Sequence, residues 1–185
     1  LAADKDNAGA MIYLADLSMF AGKPQEYVGW LEKAIKAKPL LLEPYKLLIA
    51  YYLKEKDTAR ALAVANKAQA NNPGNPDVLD LLAATQLTTG NKADALATYN
   101  SLVNLAPRSH VAYLRLASIQ AQMQDKQGAK ASLKKALIIK PDYRDAQTAL
   151  VLLDMQTGSP DEALALTRKI QQANPGIPLG AGLEG

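Results

Sequence analysis

The sequence contains no cysteine. That excludes disulfide staples and thiolate metal sites and leaves the compartment open. Aromatic residues are scarce, at 5% with one Trp and one Phe, so a core has to be built mainly from alanine and leucine, both strong helix formers. No uninterrupted apolar run reaches the ~18 residues that a membrane-spanning helix requires. A surplus of one charge is also missing. The 21 Lys and Arg are dispersed among 18 Asp and Glu, whereas phosphate-tracking proteins gather their bases on one face, so nucleic acid is not an expected partner. What is present is 49% hydrophobic residues across 185 positions. That suffices for a packed core and argues against disorder.

The chain is internally periodic. Pro39, Pro73, Pro107, Pro141 and Pro175 follow one another at steps of 34 residues. Tyr27, Ala61, Ala95, Ala129 and Ala163 keep the same step, and so do Lys23, Asp57, Asn91, Asp125 and Ser159. The last series reads as N-caps, because a short polar side chain accepts a hydrogen bond from a free backbone N–H. Ser159-Pro160-Asp161-Glu162 adds proline at the first helical position and acids facing the helix dipole, while Lys23 is the exception. The prolines end one helix and force a turn. The alanine series marks close helix crossings. Between these marks, apolar residues recur at helical spacing, as in Tyr45, Leu48, Ile49 and Tyr52. The pattern predicts ten helices near 9–21, 24–38, 43–54, 58–71, 76–89, 92–105, 110–123, 126–139, 144–157 and 160–173, and no sheet.

With Tyr45, Leu48, Tyr52, Ala61, Ala68 and Pro73 in one unit, and Leu79, Leu82, Ala95, Tyr99 and Pro107 in the next, the sequence resembles the tetratricopeptide repeat. The glycine of that pattern is replaced by Ala15, Ile49, Ala83, Ala117 and Val151. The resemblance implies an all-α, right-handed helical-repeat solenoid of five helix-turn-helix units, about 8–41, 42–75, 76–109, 110–143 and 144–177. Residues 1–7 read as the end of a preceding unit and 178–185 as the start of a truncated sixth, so 1–185 is expected to be a single array within a longer chain. The stretch from Ala163 to Pro175, with Gly182-Leu183-Glu184-Gly185, also resembles the tetratricopeptide lipoproteins of the bacterial PEP-CTERM/exosortase system. That likeness implies an exported, lipid-anchored envelope protein linked to exopolysaccharide production and protein sorting.

Motifs with chemical potential have bland explanations here. Gly180-Ala181-Gly182-Leu183-Glu184-Gly185 fits G-x-G-x-x-G, but that motif works only between a strand and a helix. His110, the sole histidine, reads as a helix-terminus residue, since catalysis would require an orienting partner and a nucleophile. Asp77 and Asp80 read as dipole partners of a helix start. Lys126, Lys130 and Lys134 form an i, i+4 stripe, near Lys135 and Lys140, that reads as a solvated convex face.

In a helix-pair solenoid the first helix of each unit lines the concave side. The resemblance places groove contacts at Asp16, Phe20, Lys46, Lys54, Asp80, Leu87, Ser118 and Gln122, together with Ile12, Thr148 and Met155, and with Tyr13 and Arg115 on the flank. The clamp that reads chaperone carboxylates is not matched: Ala50 follows Lys46 where Asn is needed, Leu81 stands where another Asn is needed, and Val111 precedes Arg115 where Lys is needed. The expected function is a scaffold without catalytic residues, cofactor or metal, binding a protein or peptide in the groove. Two alternatives are a polyanion or saccharide binder and a regulatory segment of a larger enzyme. Uncapped ends predict end-to-end self-association or a folded-back tail over 176–185, with Leu150, Leu153, Leu166 and Ile170 short of cover.

Overall fold

The computed structural model describes residues 7–158 together with 161, 163–165, 167 and 168. Nine α-helices stand among the described residues: α1 (Ala8–Phe20), α2 (Pro24–Ala37), α3 (Glu43–Lys54), α4 (Thr58–Asn71), α5 (Pro76–Thr88), α6 (Lys92–Leu105), α7 (His110–Gln122), α8 (Lys126–Ile139) and α9 (Arg144–Gln156). Each end falls within one residue of the boundary predicted from the period. Of the tenth predicted helix, residues 161, 163–165, 167 and 168 are helical. The rest of it, the Ser159 cap and the tail over 176–185 lie outside the described residues. No strand occurs among the described residues.

The chain forms two compact units, Leu1–Leu105 and Ala106–Gly185. In the first, α1 packs on α2, α2 on α3, α3 on α4, α4 on α5 and α5 on α6; in the second, α7 packs on α8 and α8 on α9. The alanine series is buried throughout, Tyr27 included. Small side chains at these positions let the two helices of a pair approach closely. The positions where the repeat pattern carries glycine, Ala15, Ile49, Ala83, Ala117 and Val151, are buried as well. The core of the first unit is centred on Leu31, Tyr45, Leu48 and Ala61, and that of the second on Ala129, Leu133, Ala136 and Leu150. Leu150 and Leu153 are buried, against the expectation that they lack cover, because α8 and its neighbours enclose them. Leu166 and Ile170 lie outside the described residues.

The caps explain where the helices start. Asp57 Oδ1 accepts from the Arg60 N–H at 2.9 Å, and Asp125 Oδ1 from the Gly128 N–H at 2.9 Å. Lys23 makes no side-chain cap bond, and its ammonium reaches Glu26 at 2.9 Å. A second cap series goes beyond the sequence pattern. Asn7, Asn75 and Ser109 cap α1, α5 and α7, accepting from Ala10, Asp77 and Ala112. The Arg60 N–H, and then its guanidinium, hold the Asp57 carboxyl below the usual carboxylate range. That support for α4 is complete above the ordinary carboxylate pKa and is lost as pH falls through the lowered value. Replacing Asp125 by Ala should lower stability by about 1 kcal/mol in a denaturant melt.

The turn between the two helices of each pair has its own rule. Gly22, Lys56, Gly90, Gln124 and Gly158 all adopt positive φ, between 60° and 88°, which closes the first helix and turns the chain into the next cap. Glycine takes this conformation freely, while other residues are strained by about 1–2 kcal/mol. Gly90→Ala should therefore destabilise by about 1 kcal/mol. Gln124→Gly should act in the opposite direction and by less, because glycine also gains entropy in the unfolded chain. Equal losses from both substitutions would show that the turn is not under this strain.

Candidate functional site

The side chains expected to line a groove are positioned by the first helix of each pair. On α1, Tyr13, Asp16 and Phe20 fall at i, i+3 and i+7 and are exposed, Phe20 at 98% and Tyr13 at 66%. Leu14, Leu17 and Met19 are exposed beside them. Apolar residues thus run around the whole of α1, with Asp16 its only charge. Asp16 acts on the next helix: burial raises the Tyr27 phenol pKa, and the Asp16 carboxylate and Tyr51 raise it further. Lys46 and Lys54 are exposed on α3, whereas Asp80 and Leu87 on α5 are half-buried. All of these belong to the first unit.

Arg115, Ser118 and Gln122 belong to the second unit and are exposed on α7, with Thr148 and Met155 exposed on α9. Burial raises the Tyr143 phenol, Asp145 adds to the rise, and the positive charge of Arg115 opposes it. Tyr143 also meets His110 edge-on at 4.6 Å between ring centroids. His110 is therefore a packing residue at the start of α7.

The lysine stripe on α8 is not a uniformly solvated face. Lys130 turns inward to Asp154 on α9, with Nζ 2.7 Å from Oδ1 and side-chain exposures of 15% and 4%. Lys135 lies over the Tyr113 ring and Lys140 over that of Tyr143, while Lys134 is exposed. The sequence pattern missed this because the acid that draws Lys130 inward lies 24 residues away, on another helix. The helix position of Asp154 is held by Gln86 two periods earlier and by Gln120 one period earlier, each a polar break among apolar residues at helical spacing. Their amide oxygens accept from Thr98 at 2.8 Å and from Ser132 at 2.7 Å. Each break is a satisfied polar link between the two helices of a pair.

Two hollows are relevant to binding. Within the second unit, Leu114, Ala117, Ser118 and Ala121 of α7, Ala129 and Leu133 of α8, and Ala149, Leu152, Leu153 and Gln156 of α9 enclose about 290 Å³. Apart from Ser118, none of these residues was singled out as a binding residue from the sequence. Within the first unit, Glu32, Ile35, Lys36, Pro39, Lys67 and Asn71 border about 510 Å³ between α2 and α4. Among the described residues no group of three or more His, Cys, Asp or Glu is placed to hold a metal. No helix among them is long and apolar enough to cross a membrane. The glycine-rich segment 180–185 lies outside the described residues.

Comparison with known proteins agrees with this architecture. Mouse protein O-mannosyl-transferase TMTC1 is 28% identical over 145 residues, which are 76% of this chain and 15% of that protein. The chain thus spans less than a fifth of the length of that relative. Among solved structures, MamA from Desulfovibrio magneticus RS-1 superposes with a TM-score of 0.70 at 18% identity, covering 93% of this chain and 96% of that one. YrrB, a TPR protein with an unusual peptide-binding site, gives a TM-score of 0.64 at 17% identity, covering 94% and 89%. The family profile of the tetratricopeptide repeat matches residues 52–123 and 120–184, well over half of the chain. By that match, by its 34-residue period and by its paired helices, the chain belongs to the tetratricopeptide repeat family.

Proposed function

We propose that the chain is a non-catalytic scaffold that binds a segment of a partner protein along the exposed faces of its first helices. The observation that carries this reading is the apolar exposure of α1 and α9. Phe20, Tyr13 and Leu17 on α1, and Leu152 and Met155 on α9, are all exposed, and solvent-facing apolar patches of this kind mark interaction surfaces. Lys46 and Lys54 on α3, and Arg115, Ser118 and Gln122 on α7, are exposed polar and charged residues on the other first helices, and binding surfaces combine such groups with apolar anchors. The peptide-binding site of YrrB, on a similar fold, supports a peptide ligand. A place in bacterial export or exopolysaccharide-linked sorting is the finer form of this proposal, and it rests on the residues that resemble the exosortase-linked lipoproteins.

Site-specific photo-crosslinking tests the reading. A photoreactive residue at Phe20, Lys54 or Ser118 should capture a protein partner in cells of the source organism, while one at Lys36 or Gln127 on the second helices should not. Equal capture from both sets, or capture from neither, would count against it. One observation favours a second reading. The hollow bordered by Lys36 and Lys67, with Glu32 as its one acid, has a net positive lining that favours an anion, and polyanion binding weakens steeply with salt. A salt-insensitive or absent signal with heparin removes it. The small share of the mannosyl-transferase that this chain covers keeps a regulatory segment of a larger enzyme as a third.

A further inference from the structure

The three-helix set α7, α8 and α9 repeats the set α3, α4 and α5, displaced by two periods, so each residue of one has a counterpart in the other. Ile49, Leu53 and Leu81 of the first set are packed into the core of their unit. Their counterparts in the second set are Ala117, Ala121 and Ala149. Three branched side chains are thus reduced to methyl groups, while Ala65 and Ala84 are enlarged to Leu133 and Leu152, and the redistributed side chains border a hollow of about 290 Å³. Two further exchanges make its walls more apolar: Lys46 and Thr85 are replaced by Leu114 and Leu153. Leu152 remains 50% exposed, and the exposed Ser118 and Gln156 border the mouth.

The chemistry of the lining selects the occupant. None of the ten lining residues is ionisable, so neither a carboxylate, a phosphate nor an ammonium group would find a counter-charge there. A saccharide would leave most of its hydroxyls unpaired against leucine and alanine. An apolar cavity of about 150 Å³ is known to accept benzene, so this hollow has room for a phenyl, indolyl or isobutyl group. A peptide backbone crossing the mouth would meet the Ser118 hydroxyl and the Gln156 amide. We propose that this hollow is a specificity pocket that takes one bulky apolar side chain, of Phe, Trp or Leu, from the partner segment. This rests on the peptide-binding reading above and adds where that segment is anchored and by which residue type.

The chain itself provides the variant that tests it. Ala121→Leu with Ala149→Leu restores the residues used at Leu53 and Leu81 and should fill the hollow while the fold is kept, as a thermal melt would verify. A random dodecapeptide display library selected on the wild-type protein should enrich sequences that share a Phe, Trp or Leu. Changing that residue to Ala should weaken binding about tenfold or more. The same peptides should bind the filled variant about tenfold or more weakly, with no additional loss when both changes are combined. Should the double variant fail to fold, Ala121→Leu alone, at an exposed position, serves the same comparison. Peptides that bind the filled and wild-type proteins equally would overturn the pocket while leaving the groove reading intact. If the library yields no binder, the pocket falls together with that reading.

Discussion

Lys130→Ala should lower the stability of the second unit by about 3–5 kcal/mol, the loss expected when a buried ion pair loses one partner. The Asp154 carboxylate is 4% exposed and has Lys130 Nζ at 2.7 Å. Removing the ammonium leaves the buried Asp154 carboxylate between α8 and α9 without its counter-charge. Lys134 is one turn further along the same helix and exposed, so Lys134→Ala should change stability by less than about 0.5 kcal/mol. Denaturant melts of the two variants side by side give the comparison. A double change, Lys130→Met with Asp154→Leu, should recover most of the loss, because apolar replacements of a buried pair are often neutral or stabilising. If the two single alanine variants melted alike, Lys130 would be a surface residue like its neighbours, and the inward turn described above would be wrong.

The second large effect is expected at Tyr45, which is fully buried at 0% exposure. Its hydroxyl donates to the Pro39 carbonyl at 2.9 Å and accepts from Asn71 Nδ2 at 2.6 Å. One side chain therefore ties α3 to the turn before it and to the end of α4. Tyr45→Ala should cost about 3–5 kcal/mol, from lost burial and the cavity left behind. Tyr45→Phe keeps the ring and should cost about 1–2 kcal/mol for the lost hydrogen bonds. Gln147 occupies the same repeat position in the second unit and donates to the Pro141 carbonyl at 2.7 Å. At Pro39 and Pro141 the repeat proline thus does more than stop a helix, since its carbonyl anchors the first helix that follows. Equal losses from Tyr45→Phe and Tyr45→Ala would show that the hydroxyl links, rather than the ring, carry the effect.

Helix boundaries were legible in the sequence because proline, cap and alanine positions recur at a fixed step, and each has a local mechanism that acts within one turn. The positive-φ turns at Gly22, Gly90 and Gly158 carry a visible glycine signal at the same step, which Lys56 and Gln124 interrupt. The inward Lys130 was not legible, since a lysine at i, i+4 spacing looks the same whether or not a distant acid faces it. The exposure of Tyr13, Phe20, Lys46, Arg115 and Ser118 follows from their place on first helices. Asp80 and Leu87 share that register and are nonetheless half-buried, because a repeat position fixes direction but not the size of the neighbours. The apolar hollow depends on those neighbours. Its trace in the sequence is the exchange of Leu53 and Leu81 for Ala121 and Ala149 two periods later, visible only once equivalent positions are compared for size rather than for type.

Partner recognition by the first helices is tested most directly by backbone amide shifts during titration with a peptide selected on the wild-type protein. Shifts should concentrate on α1, α3, α5, α7 and α9, around residues such as Phe20, Lys46, Ser118 and Gln122, and leave α2, α4, α6 and α8 largely unmoved. Shifts concentrated on the second helices, around Lys36, Lys67 or Lys134, would contradict the account.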